Sequence, residues 1–114
     1  MARYGERAHG YKRVRGRQIA TASTAVIQLI ATPGNPQRLV ISKITVSNVS
    51  DTDSEVHILS GTEIIWTIPA PRHGGACEVY PDPLECNPDE ALNFQCADSV
   101  TKMTVSAAGV AQAA

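Results

Sequence analysis

The hydrophobic positions of this chain recur with period two, in short runs. Alternation of that kind marks strands that bury one face. In residues 23–31 (STAVIQLIA), Ala25, Ile27, Leu29 and Ala31 share a face. Thr32–Pro33–Gly34–Asn35–Pro36 then ends the run, because proline cannot donate to a ladder and glycine tolerates positive φ. In residues 38–49 (RLVISKITVSNV), Val40, Ile44 and Val46 fall on one parity and Lys43, Thr45 and Ser47 on the other. Leu39 and Ile41 sit on the polar parity, which predicts cover on both sides or a bulge.

Asp51–Thr52–Asp53–Ser54 is the next turn. Residues 55–59 (EVHIL) and 62–68 (TEIIWTI) flank Ser60–Gly61, a short-hairpin signature. With two prolines and two glycines, residues 69–75 (PAPRHGG) read as a loop. A short strand over 76–80 ends at Pro81–Asp82–Pro83, and 84–90 are turn-rich. Residues 91–96 (ALNFQC) and 100–108 (VTKMTVSAA) alternate again, and the final GVAQAA reads as a loose end. These runs make about seven strands at roughly 10-residue spacing with no helix, the signature of an antiparallel sandwich or a jelly roll.

Residues 1–18 (MARYGERAHGYKRVRGRQ) fit neither period. They hold six basic side chains against Glu6, a balance of +5, while the other 96 residues hold four basic and ten acidic, a balance of −6. Alone, such a segment buries too little apolar surface to offset the entropy of ordering it. It reads as an extended arm that orders on a partner. Arg3, Tyr4, Arg7, Tyr11, Lys12, Arg13, Arg15 and Arg17 are its candidate interface residues, since Tyr and Arg are common interface anchors. The expected organisation is an arm over 1–18, a β-sandwich over 19–110 and a loose tail over 111–114.

Composition adds few constraints. Hydrophobic residues make up 43% of the 114 and charged residues 18%, a globular balance. The core must come from Val, Ile, Leu and Ala, because only five residues are aromatic. No apolar run of about 18 residues predicts a membrane helix, and no secretory signal is expected. Cys77, Cys86 and Cys96 form no CxxC pair, so three reduced, mostly buried thiols are expected.

Catalysis needs a nucleophile, a base and an orienting group, or a metal with its ligands. No such set is legible. His57 alternates with Val56 and Ile58 and should face solvent or a subunit contact. His73 and Cys77 are four apart across a loop-to-strand junction, a spacing that does not bring them to one side. Glu85, Asp89 and Glu90 read as solvated loop charge, or as a dock for a neighbour's basic arm. The expectation is a non-enzyme with no cofactor, metal or small-molecule substrate. Nucleic acid is not the expected partner, because the acidic body offers few aromatics for stacking.

Residues 59–75 (LSGTEIIWTIPAPRHGG), 82–96 (DPLECNPDEALNFQC) and 103–109 (MTVSAAG) resemble the cement, or capsid-decoration, proteins of short-tailed bacteriophages of the epsilon15 type. The resemblance spans about residues 20–110 as a pattern of turns and alternation, and the arm lies outside it. It implies an all-β fold, a small antiparallel β-sandwich of jelly-roll type, here with the extended N-terminal arm. It also implies a virion protein made in the host cytoplasm. Such a protein sits on the outer surface of the phage head, binds the major capsid protein and bridges neighbouring subunits. Self-association is expected, a homodimer before a homotrimer. Trp66, Arg72 and His73, in and beside the PAPRHGG loop, are expected at an intersubunit contact, with plain core the alternative for Trp66. Another virion part (a head-fibre base, tail adaptor or tail-tip module) and a nucleic-acid-binding protein with a basic arm are the rival readings.

Overall fold

The computed structural model describes residues 11–113, with side chains from Lys12 onward. Eight strands follow one another: β1 (Tyr11–Ala20), β2 (Ile27–Ile30), β3 (Gln37–Asn48), β4 (Ser54–Ser60), β5 (Glu63–Ala70), β6 (Gly74–Glu85), β7 (Leu92–Cys96) and β8 (Met103–Ala113). They form two four-stranded sheets, ordered β1-β8-β3-β6 and β2-β7-β4-β5. Every pairing is antiparallel. First pairs with last, second with seventh, third with sixth and fourth with fifth. The chain is thus one long hairpin rolled into a sandwich, which is the jelly roll.

The core lies between the sheets. Leu39, Ile41, Ile44 and Val46 of β3 meet Val56 and Ile58 of β4, Ile68 of β5 and Leu92 and Phe94 of β7. Met103 and Val105 of β8 close it. The anomaly in β3 is a bulge at Ser42, between Ile41 and Lys43. The extra residue switches parity, so Leu39 and Ile41 point inward before it and Ile44 and Val46 after it. Val40 therefore lies on the face opposite Ile44, not beside it. β2 is shorter than the alternation suggested. A register shift between Gln28 and Ile30 buries Leu29 and Ile30, and leaves Ala25 and Ala31 exposed.

Three segments expected to be irregular are strands. Residues 11–18, assigned to the arm, lie in β1, which pairs with β8 from Tyr11↔Gln112 to Ala20↔Met103. The expected tail, 111–114, is the end of β8 as far as Ala113, held between β1 and β3 with Ala111 buried. Neither end shows apolar alternation, because small residues are what the space allows. A Cβ on Gly16 would stand 2.0 Å from the Leu29 carbonyl oxygen, and one on Gly109 would stand 2.1 Å from that of Val40. The third segment is PAPRHGG, where β5 runs to Ala70 and β6 starts at Gly74, leaving only a tight turn. β5 and β6 are both edge strands, where a proline costs no ladder bond. That also lets β6 continue through Pro81 and Pro83, leaving β3 between Val79 and Leu84. Residues 1–10 of the expected arm, with Arg3, Tyr4, Arg7 and His9, lie outside the described residues.

Candidate protein-interaction surface

The outer face of the β1-β8-β3-β6 sheet is one-sided in charge. Positions 13, 15 and 17 of β1 sit opposite Val110, Ala108 and Ser106 of β8, and β8 in turn faces Val40, Lys43 and Thr45 of β3. Strand alternation therefore places Arg13, Arg15, Arg17 and Lys43 on one face, all exposed. Among the described residues, the one carboxylate that pairs into this face, Glu85, is met by Arg38 at 2.9 Å. The floor is made of short side chains, so the long cations stand above it. A depression of about 530 Å³ results, lined by Arg15, Gly16, Arg17, Lys43, Thr45 and Ser106–Ala108. Lys43 is the member that sequence reasoning missed. Its signal was its parity with Thr45 and Ser47, but only the sheet order brings β3 within two strands of β1.

The other candidates lie elsewhere. Lys12 is exposed on β1, and Tyr11 opens that strand. Trp66 is 43% exposed, at the seam between β5 and β6. Its indole Nε1 donates to Glu78 Oε1 at 2.9 Å, and the Tyr80 hydroxyl donates to the same oxygen at 2.8 Å. The Trp66 and Tyr80 rings meet edge to face with centroids 5.8 Å apart. Burial, then the Glu78 carboxylate, push the Tyr80 phenol far above its usual range. Trp66 is neither plain core nor part of the basic face.

Arg72 and His73 occupy the β5–β6 turn, with φ of 52° at His73. The Arg72 N–H donates to Asp53 Oδ1 at 2.9 Å, and His73 Nε2 contacts Asp51 Oδ1. This turn thus braces the neighbouring β3–β4 turn, which Asn48 holds from within. The buried Asn48 amide donates to the Thr52 and Ala70 carbonyls, each at 2.9 Å. Its Oδ1 accepts from the Ser50 N–H at 3.0 Å and the Ser50 hydroxyl at 2.6 Å. Asp51, Asp53 and Glu55 project from this end of the sandwich, all exposed.

Two further polar candidates bond within the fold. Glu90 Oε1 accepts from the Ser60 hydroxyl at 2.7 Å and from Asn87 Nδ2 at 3.1 Å. His57 Nδ1 lies 3.1 Å from the Thr67 hydroxyl. Cys77 is free and exposed, while Cys86 and Cys96 are free and buried. Burial pushes the Cys86 thiol up to about 11 and raises that of Cys96. Among the described residues, no three His, Cys, Asp or Glu side chains gather in a way that could hold a metal ion.

No protein-family model matches the chain, and no curated protein sequence matches it. Among solved structures, a chain of the cyanophage Pam1 capsid asymmetric unit superposes with a TM-score of 0.53 at 14% identity, covering 100% of this chain and 93% of that one. The Tobacco streak virus coat protein follows at 0.46 and 12% identity, covering 90% of this chain and 86% of that one. The extra small virus of the prawn Macrobrachium rosenbergii gives 0.38 and 11%, with coverages of 92% and 81%. The Pam1 likeness is one of fold, and it extends along the whole chain.

Proposed function

We propose that this chain is a structural virion protein of the cement type. It binds the outer surface of a shell of major capsid protein and stabilises the head by bridging neighbouring subunits. The observation that carries the reading is the basic face: Arg15, Arg17 and Lys43 around a small-residue depression, with Arg13 on the same face, on a chain whose net charge is −1. Such a face suits a broad acidic protein surface rather than a small molecule. The jelly roll shared with a phage capsid chain supports the same assignment. The buried polar side chains Asn48, Ser50 and Ser60 are held by internal bonds, which suits a rigid body that bridges. In this reading Arg3, Tyr4 and Arg7 also contact the shell. Many weak contacts on one rigid shell add up through effective concentration.

The test is binding of the purified protein to preformed shells, before and after deletion of residues 1–10 and with R15Q/R17Q/K43Q. Saturable binding at hundreds of copies, weakened by both changes, is expected. No binding at low salt overturns the reading.

A further inference from the structure

The basic face and the acidic turn are opposite in charge. Arg13, Arg15 and Arg17 occupy alternate positions of β1, and Asp51, Asp53 and Glu55 occupy alternate positions where β3 turns into β4. Alternate residues of a strand are about 6.7 Å apart, so β1 offers a spaced row of cations, while the bend at Ser50–Thr52 carries the carboxylates on a turn. The two groups lie on different surfaces of the molecule, one on a sheet face and the other at an end of the sandwich. Among the described residues, no ion pair joins them. A contact between them takes two copies.

We propose that the Asp51–Glu55 turn of one copy seats in the depression of the next, against Arg13, Arg15, Arg17 and Lys43. The turn is preorganised for this. Asn48 and Ser50 fix its backbone, and His73 and the Arg72 N–H each occupy only Oδ1 of Asp51 and Asp53. The second oxygen of each carboxylate stays available to a neighbour, so little further ordering is required on docking. Nucleic acid fits the depression less well. Its lining contains no aromatic side chain on which a base could stack.

The contact joins two different patches, so it propagates as a ring or an array instead of closing as a two-fold pair. Exposed ion pairs are individually weak, which sets a dissociation constant of about 1 mM at low salt. Copies held side by side on a shell reach effective concentrations of that order. On a particle the shell and a neighbouring copy compete for the same four cations, so the role of the contact there rests on the shell-binding reading, but the contact itself does not.

A charge swap tests it with the full chain. At about 1 mM protein, small-angle scattering should show association at about 0.02 M salt and its loss at about 0.3 M. R13E/R15E/R17E and D51K/D53K/E55K should each stay monomeric alone, and an equimolar mixture should associate again. The neutral variant R13Q/R15Q/R17Q should associate about tenfold more weakly, and thermal melts confirm that each variant folds. A wild type that stays monomeric at both salts overturns the proposal. So does either reversed variant associating as well as wild type, or a mixture that does no better than its parts. Tighter low-salt binding of a thymidine oligonucleotide than of a second copy assigns the face to nucleic acid. Tighter binding of an unrelated acidic peptide assigns it to another protein. Both overturn the proposal. Association in solution without shell binding leaves this contact standing and removes the cement reading.

Discussion

Replacing Asn48 with alanine should unfold this protein more readily than any change on its surface. The side chain is 1% exposed and serves four bonds at once: two carbonyls through its amide and two Ser50 groups through its oxygen. Alanine leaves the Ala70 carbonyl and the Ser50 N–H without those partners in a region water does not freely enter. Each buried orphan costs about 1–3 kcal/mol, and the Ser50 hydroxyl can turn to other acceptors, so the expected loss is about 3 kcal/mol. For a domain of this size that lowers Tm by about 12–18 °C. Thr52→Ala is the control, because Thr52 takes part through its backbone groups and its exposed side chain should be worth less than about 0.5 kcal/mol. Calorimetry of the two variants decides. A fall for Asn48→Ala no larger than the control's would refute the idea that this network holds the β3–β4 turn.

Gly16→Ala should destabilise by about 2–3 kcal/mol in denaturant melts, because its Cβ would collide with the Leu29 carbonyl oxygen at 2.0 Å; a neutral result means β1 does not lie over β2. In native protein, a thiol reagent at mild pH should modify exposed Cys77 quickly, and buried Cys86 and Cys96 only after unfolding. The raised Cys86 thiol, about 11 in the fold, also sets an alkaline limit. Stability from keeping it neutral is full below about pH 9, where the unfolded thiol titrates, and is lost as pH rises towards 11. Cys86→Ala should flatten that part of the stability curve. R15Q/R17Q/K43Q should weaken shell binding about tenfold, while Lys102→Gln leaves it unchanged.

The middle of the fold was legible in the sequence because burial there is one-sided. Leu92, Phe94 and Cys96 alternate, as do Met103, Val105 and Ala107, and all of them point inward. The ends were not legible. β1 has only Val14 and Ala20 as apolar inward residues, with Gly16 between them for lack of room, so it reads as a polar tail. The inward positions at the end of β8 are Gly109, Ala111 and Ala113, which alternation cannot distinguish from a loose end. Edge position, which makes Pro69, Pro81 and Pro83 tolerable in strands, follows from sheet order alone. The basic face was half visible. Arg13, Arg15 and Arg17 stood out by charge, but placing them in an arm hid their rigid register with each other and with Lys43. Arg72 and His73 read from the sequence as contacts for another subunit, and within the fold they also brace Asp53 and Asp51.

The central claim is that this β body is a structural part of a viral shell, placed on its outside by its basic face. A cryo-EM map of the particle tests that most directly. The account predicts hundreds of copies on the outer surface, each with the β1-β8-β3-β6 sheet turned towards capsid protein or a neighbouring copy. Finding about six or twelve copies at one vertex, as the symmetry of a tail or adaptor requires, or none in the particle at all, would contradict it.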